Sequence, residues 1–237
     1  MAVKFQWPSI HNFFDKATRH RLAIKKTSRV NNLIVSLVLS TTTLQTLAAE
    51  RSILLLAPTS TDARLEASHA AIEFWNETLA QLEVDTRLGE PRVAVEWPAL
   101  RTLENFARLI AQQAIRFPNS EVYPAAPEEL TTLPEDIIVL LSNQDIMSFA
   151  WSIPKTNSDR YLVVIRLPRG PDRNDLMVSR HVLAHELGHA LGLLHNNFAH
   201  TLMCGPCQPF TASPGPRDFL PLTDNELNFL REAFKNR

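Results

Sequence analysis

A run of eleven residues, His185 to His195, constrains this chain more than any other part of its sequence. It reads His-Glu-Leu-Gly-His-Ala-Leu-Gly-Leu-Leu-His. His185 and His189 are four residues apart, so on a helix they project from one face, one turn apart. Gly192 can adopt the left-handed conformation that ends a helix, and the turned chain then brings back His195. The spacing therefore predicts a helix, a glycine turn and three converging imidazoles.

Three imidazoles at this spacing are typical of a catalytic zinc site. Ring nitrogens bind zinc at roughly 2.0–2.1 Å, and three protein ligands leave a fourth position for water. Glu186 follows the first ligand, where its carboxylate can reach that water without binding the metal. We therefore expect one Zn²⁺ ion held by His185, His189 and His195. Glu186 is the candidate catalytic residue, a general base toward the water.

The pattern H-E-x-x-H-x-x-G-x-x-H resembles the signature of the metzincin zinc peptidases. Met203 follows His195 by eight residues, and it resembles the methionine of the Met-turn that supports the metal site in that family. This short spacing is most similar to the matrixin branch, the matrix metalloproteinase-type catalytic domains. The motifs that carry the resemblance lie within about residues 174–236. Upstream of them only the general architecture is similar, and the helix predicted at 100–117 is an insertion relative to matrixins.

The resemblance implies a zinc-dependent endopeptidase acting on a protein or peptide substrate. It also implies a twisted mixed sheet backed by helices, followed by the active-site helix, the Met-turn and a C-terminal helix. An alternative of another class is an exported, metal-stabilised binding module in which zinc is structural and no peptide bond is cut. A third is a disulfide oxidoreductase.

The third alternative arises from Cys204 and Cys207, the only cysteines of the chain. Their C-G-P-C spacing is that of the thioredoxin redox motif, which stands at a strand-to-helix junction. Here the pair follows Met203 in a proline-rich loop. In an exported protein such a pair favours a small disulfide that stiffens the loop. Extra metal binding and redox chemistry remain the other interpretations.

The charge of the chain is unevenly distributed. Residues 1–32 carry seven basic residues against Asp15, residues 33–49 carry no charge, and residues 50–237 have a net charge of −7. A basic lead, an apolar stretch and small residues predict an export signal cut after Ala48 or Ala49, with an uncleaved membrane anchor as the alternative. We therefore assign residues 1–49 to a signal or anchor and residues 50–237 to one catalytic domain outside the cytoplasm, secreted or periplasmic.

The distribution of charge also limits which partners the chain is expected to bind. An acidic domain lacks the clustered basic face that nucleic acid requires, so no nucleic-acid partner is expected. A membrane is a partner only if the N-terminal segment stays uncleaved. Asp172, Asn174 and Asp175 raise the question of calcium, but they form no recognisable calcium loop. Calcium therefore stays an unsupported alternative beside zinc.

Hydrophobic periodicity predicts a mixed α/β (α+β) domain. Strands are expected at 52–57, 92–97, 136–141 and 161–167, with Val93 and Val95 on the covered face of their strand. Helices are expected from a cap within 59–62 to about residue 82, over 100–117, and from Asn174 or Asp175 through the metal ligands. A terminal helix opens with a capping box of Thr223 and Glu226. Residues 118–135 are expected to form a loop, and 142–154 to precede or contain the strand that borders the cleft.

Overall fold

A computed structural model of the chain describes residues 49–117, 123–154, 159–168, 176–205 and 219–235. The first elements in chain order are β1 (Ala49–Arg51), β2 (Ile53–Ala57), α1 (Arg64–Gln81), β3 (Thr86–Leu88), β4 (Arg92–Val95) and α2 (Leu100–Arg116). They are followed by α3 (Glu128–Thr131), β5 (Ile137–Ser142), β6 (Phe149–Ser152), β7 (Tyr161–Arg166), α4 (Leu176–Ala190) and α5 (Asp224–Phe234).

Five strands form the central sheet in the order β4-β2-β5-β7-β6. The first four are parallel, and β6 alone runs antiparallel, paired with β7. Every side chain of β2 and β5 is buried. Both strands are therefore covered on both faces, which explains why their sequences are continuous apolar runs without alternation. β1 and β3 form a separate parallel pair.

Alternate residues of the buried strands enter two cores, one on each face of the sheet. On one face Leu55 and Val139 pack with α1, α4 and α5, and on the other Leu54 and Leu140 pack with α2. Trp75 of α1 is completely buried, and its indole N–H donates to the carbonyl of Ala184 in α4 at 2.9 Å. This bond and the surrounding core fix the helix that carries the motif against the sheet.

The structure confirms the predicted fold class, a mixed α/β domain with helices packed on the sheet. The strands expected at 52–57, 136–141 and 161–167 and the helices over 64–81 and 100–116 are present to within a few residues. The segment 142–154 contains the edge strand β6. The expected cap at Asn174 or Asp175 lies outside the described residues, as does the segment 1–48.

Three expectations were wrong or incomplete. Val93 and Val95 are 43% and 42% exposed, because β4 is an edge strand and its neighbour Ala94 is the residue that contacts the core. The helix α3 interrupts the predicted loop 118–135. β1 and β3 were not anticipated, since three residues are too few to show periodicity. Within the described ranges, no helix has the length and apolarity needed to cross a membrane.

Candidate metal centre

The helix α4 ends as its sequence predicts, and this ending directs the chain toward the third histidine. Gly192 has a φ of 93°, which lies in the left-handed region. The amide of Leu193 donates to the carbonyl of Gly188 at 3.0 Å, and that of Gly192 donates to His189 at 2.9 Å. These two bonds form a Schellman motif, in which glycine avoids the strain that a Cβ would meet.

The structure brings the three predicted histidines together. His185 Nε2 is 3.0 Å from His195 Nε2, and His189 Nε2 is 3.1 Å from the same atom. When two nitrogen ligands bind one zinc ion at about 2.05 Å and the angle between them is tetrahedral, the two nitrogens are about 3.3 Å apart. The observed separations are within a few tenths of an ångström of that value. In the part of the chain that the structure describes, these three residues form one group that could hold a metal ion.

Backbone carbonyls orient two of the three rings. His185 Nδ1 lies 2.7 Å from the carbonyl of Leu202, and His189 Nδ1 lies 2.8 Å from that of Leu193. Since a carbonyl can only accept, each Nδ1 carries the proton and donates it. The Nε2 lone pairs are then directed at the common point, which is the arrangement of metal-binding histidines with an outer hydrogen bond.

Burial keeps these imidazoles neutral. Desolvation lowers the pKa of His185, against the opposing effects of the Leu202 carbonyl and the charge of Glu226. Desolvation also sets the pKa of His189 well below its ordinary value, helped by the nearby His185 and His195. Metal binding requires neutral imidazole. At neutral pH these two ligands therefore need not release a proton to bind a cation.

Glu186 is not part of the histidine group and faces the edge strand β6. Its side chain is only 6% exposed, and the backbone N–H of Ala150 in β6 donates to it. Burial raises the pKa of this carboxyl to about 8, although the Ala150 hydrogen bond acts in the opposite direction. In the metal-free protein the group therefore holds a proton at neutral pH, which is the proton-handling range of a general acid and base.

Met203 is completely buried and lies against α4. A Cβ added at Gly188 would stand 2.6 Å from the Met203 sulfur and 3.0 Å from the Trp75 ring. Glycine at position 188 leaves room for the Met203 side chain between the two ligand positions of the helix. The expected supporting role of Met203 stays a prediction, and its position against α4 agrees with it.

Gly205 makes a similar close approach to the third ligand. A Cβ added there would stand 2.8 Å from two carbons of the His195 ring. Its neighbour Cys204 is disulfide-bonded, so it is not available as a thiolate ligand. Cys207 is the only other cysteine of the chain, and it lies outside the described residues.

Sequence reasoning missed Ala150, Gly188 and Gly205. Gly188 carried a signal, since a glycine inside a helical pattern often has a packing reason. Ala150 carried none, because a backbone N–H at a strand edge leaves no trace in residue type.

We predict a pH effect on the stability of the metal-free protein that a Glu186→Gln variant lacks. Between about pH 5 and about pH 8 the folded parent keeps the Glu186 proton while the unfolded chain has lost it. The free energy of unfolding of the parent should therefore fall, relative to the variant, by about 1.4 kcal/mol per pH unit. The buried histidines act equally in both proteins and cancel in the difference. Urea unfolding after chelation measures this difference, and parallel pH curves for the two proteins would contradict it.

The chain matches no protein-family model and no curated protein. Among solved structures it is similar to the crystal structure of metalloproteinase-II from Bacteroides fragilis, at 15% identity and a TM-score of 0.45. That alignment covers 81% of this chain and 55% of the other, so this chain spans about half the length of that protein. Archaemetzincin from Methanopyrus kandleri is similar at 14% identity and a TM-score of 0.40, over 80% of this chain and 97% of the other. At these levels of similarity, an assignment of function depends on the geometry of this chain's own residues.

Proposed function

We propose that this chain is a zinc-dependent endopeptidase of the metzincin, matrixin-like type. The observation that carries the proposal is the convergence of three histidine Nε2 atoms beside a buried glutamate that is not one of them. Three imidazole nitrogen donors are a fitting set for one zinc ion, with a fourth position left for water or substrate. Met203, eight residues after His195 and buried against α4, supports the matrixin-like type.

The chemistry then divides between the metal and Glu186. Bound zinc would supply Lewis acidity, which makes water a nucleophile near neutral pH. The pKa of the Glu186 carboxyl would be lowered by a bound cation, and the resulting carboxylate takes the proton of the attacking water and returns it to the leaving amine. Its burial and its hydrogen bond to Ala150 hold the carboxyl at the sheet edge during this exchange.

The edge strand favours an extended peptide as substrate. β6 is the last strand of the sheet in the described ranges, and the Ala150 N–H points away from β7 toward Glu186. An extended chain can pair with such an edge through the main-chain groups that Glu186 does not occupy. A peptide bound in this way would pass Glu186, which lies on the helix between the ligands His185 and His189. This placement is the reason for preferring a protein or peptide substrate.

We further propose that the domain acts outside the cytoplasm. Disulfides persist in oxidising compartments, and Cys204 is disulfide-bonded. The amide of Ala49 donates to the Asp85 carbonyl at 2.7 Å as part of β1. Cleavage of a signal after Ala48 would keep this residue in its strand, whereas cleavage after Ala49 would remove it. The proposal therefore places the junction between residues 48 and 49.

Metal removal should abolish peptide hydrolysis. We expect the purified protein to cleave members of a proteome-derived peptide library, to lose this activity with a chelator, and to regain it with one equivalent of Zn²⁺. Mass spectrometry of the digested library measures both activity and sequence preference. Hydrolysis that resists the chelator would overturn the zinc mechanism. Tight zinc binding without any hydrolysis would instead support the binding module in which zinc is structural.

A further inference from the structure

We propose that Asn196 and Glu226 are positioning residues, which hold the third ligand at the metal centre by tying its loop to the C-terminal helix. The inference rests on the proposed function and extends it to two residues with no part in the chemistry. Asn196 follows His195 directly, and Glu226 lies in the first turn of α5. The Asn196 side-chain amide donates to Glu226 Oε1 at 2.7 Å.

The loop from Asn196 to Gly205 is exposed in its first half and buried at Leu202 and Met203. All residues from 197 to 200 are exposed, and Phe198 at its tip is 61% exposed. The two ends of the loop are joined by the amide of Asn196, which donates to the Met203 carbonyl at 2.9 Å, and by the amide of Gly205, which donates to Asn196 at 3.0 Å. The far end of the loop is also fixed to α4, because the Leu202 carbonyl accepts from His185 Nδ1 at 2.7 Å and Met203 packs against the helix. A further anchor joins the start of the loop, next to the His195 imidazole, to α5.

The side chain of Asn196 provides this anchor, and its orientation is determined by its partners. Its Oδ1 accepts from the amide of Phe198 at 2.8 Å and from the hydroxyl of Thr201 at 3.0 Å. Since a backbone amide can only donate, the oxygen must lie on that side and the NH₂ group must face Glu226. One side chain thus bonds the loop on one side and α5 on the other.

Glu226 is a suitable partner because its helix is fixed in the core. Leu230 and Phe234, further along α5, are 0% and 5% exposed. Glu226 itself is buried, and its second oxygen accepts from the backbone amide of Thr223 at 2.7 Å. Both oxygens of this buried side chain are therefore occupied by donors, as buried polar groups require. The Glu226 side chain therefore belongs to the capping box of α5 and also anchors the loop that begins at Asn196.

A donor–acceptor exchange tests this arrangement. In Glu226→Gln the new NH₂ group faces a donor, either the Asn196 amide or the Thr223 amide, so one bond is lost. In Asn196→Asp two carboxylates face each other and repel. In the double variant, the carboxylate introduced at position 196 accepts from the side-chain amide introduced at position 226, whose oxygen still accepts from Thr223. The double variant therefore restores a complementary pair with the net charge of the parent.

The measurement is the Zn²⁺ dissociation constant by competition with a chromophoric chelator, together with the absorption spectrum of the Co²⁺-loaded protein. Each single variant should bind zinc about 10–100-fold more weakly, the usual cost of losing an outer hydrogen bond at a metal site. The double variant should return to within a few-fold of the parent and regain its Co²⁺ spectrum. Such a coupling between two sites is the signature of a direct interaction.

Two control variants separate positioning from general destabilisation. Thr223→Ala removes the other half of the capping box and should lower the melting temperature without changing the zinc affinity. Glu232→Gln makes the same chemical change on the exposed face of α5 and should change neither quantity. If Thr223→Ala weakens zinc binding as much as Glu226→Gln, or if the double variant is no better than the single ones, the proposal is wrong. A parent protein that binds no zinc would instead overturn the proposed function.

Discussion

Replacing Glu186 with glutamine should lower kcat for peptide hydrolysis by about 10²–10⁴-fold while zinc still binds with the affinity of the parent. General acid–base catalysis by one side chain contributes an effect of this size. The amide oxygen of glutamine can accept the same hydrogen bond from the Ala150 N–H, so the geometry should be preserved. In the proposed mechanism, the variant lacks the group that takes a proton from water and returns it to the amine.

The experiment needs steady-state kinetics on one peptide that the parent cleaves, with zinc content measured in the same samples. Glu73→Gln on the exposed face of α1 is the matched control, and it should keep the parent's kcat. Turnover by Glu186→Gln close to that of the parent would refute the assigned role. A variant without zinc would leave the role to be tested under zinc saturation, where the same loss of kcat is expected.

A Gly205→Ala substitution should weaken zinc binding by about 10–100-fold, although it adds a single methyl group outside the ligand set. The added Cβ would stand 2.8 Å from Cγ and Cδ2 of His195 and 3.0 Å from its Nδ1. Protein interiors do not accommodate such short contacts, so the ring must move. A movement of a few tenths of an ångström displaces Nε2 from the point that it shares with His185 and His189.

A Gly89→Ala variant provides the comparison. An added Cβ at Gly89 would also be crowded, but by the side chain of Glu50, which is exposed and can rotate into solvent. This variant should therefore keep the zinc affinity of the parent. The dissociation constant for Zn²⁺ and the Co²⁺ spectrum decide between the two outcomes. Parent-like values for Gly205→Ala would mean that the His195 ring tolerates the methyl group, and the close approach would then be unimportant.

The parts of the site that sequence predicted correctly are governed by local rules. The four-residue spacing of His185 and His189 places them on one helix face whatever surrounds the helix. Gly192 has the positive φ expected of a helix-ending glycine, and Thr223 and Glu226 form the expected capping box. The buried strands were predictable for a related reason, since continuous apolar runs such as Ile137–Leu141 are typical of strands covered on both faces.

The parts that sequence missed depend on contacts between distant segments. The valines of β4 were assigned to the covered face because they alternate with polar or small residues. Such alternation shows that the two faces of a strand differ, but it does not say which face a helix will cover. β1 and β3 are too short to be recognised without each other. Glu226 was identified as a helix cap from its spacing to Thr223, whereas its bond to Asn196, thirty residues away, follows only from how α5 packs.

The sequence alone determined which residues can hold a metal ion, which carboxylate accompanies them, and that two of the histidines share one helix face. These properties depend on residue type and on spacings of a few positions. On a helix, such spacings directly determine the directions in which the side chains project. Tertiary structure alone decided the environment of those groups. Burial raises the pKa of Glu186 to about 8, the edge of β6 supplies the Ala150 N–H, and α5 anchors the loop of the third histidine. Desolvation and long-range hydrogen bonds are sums over neighbours from many parts of the chain, and no local pattern records them.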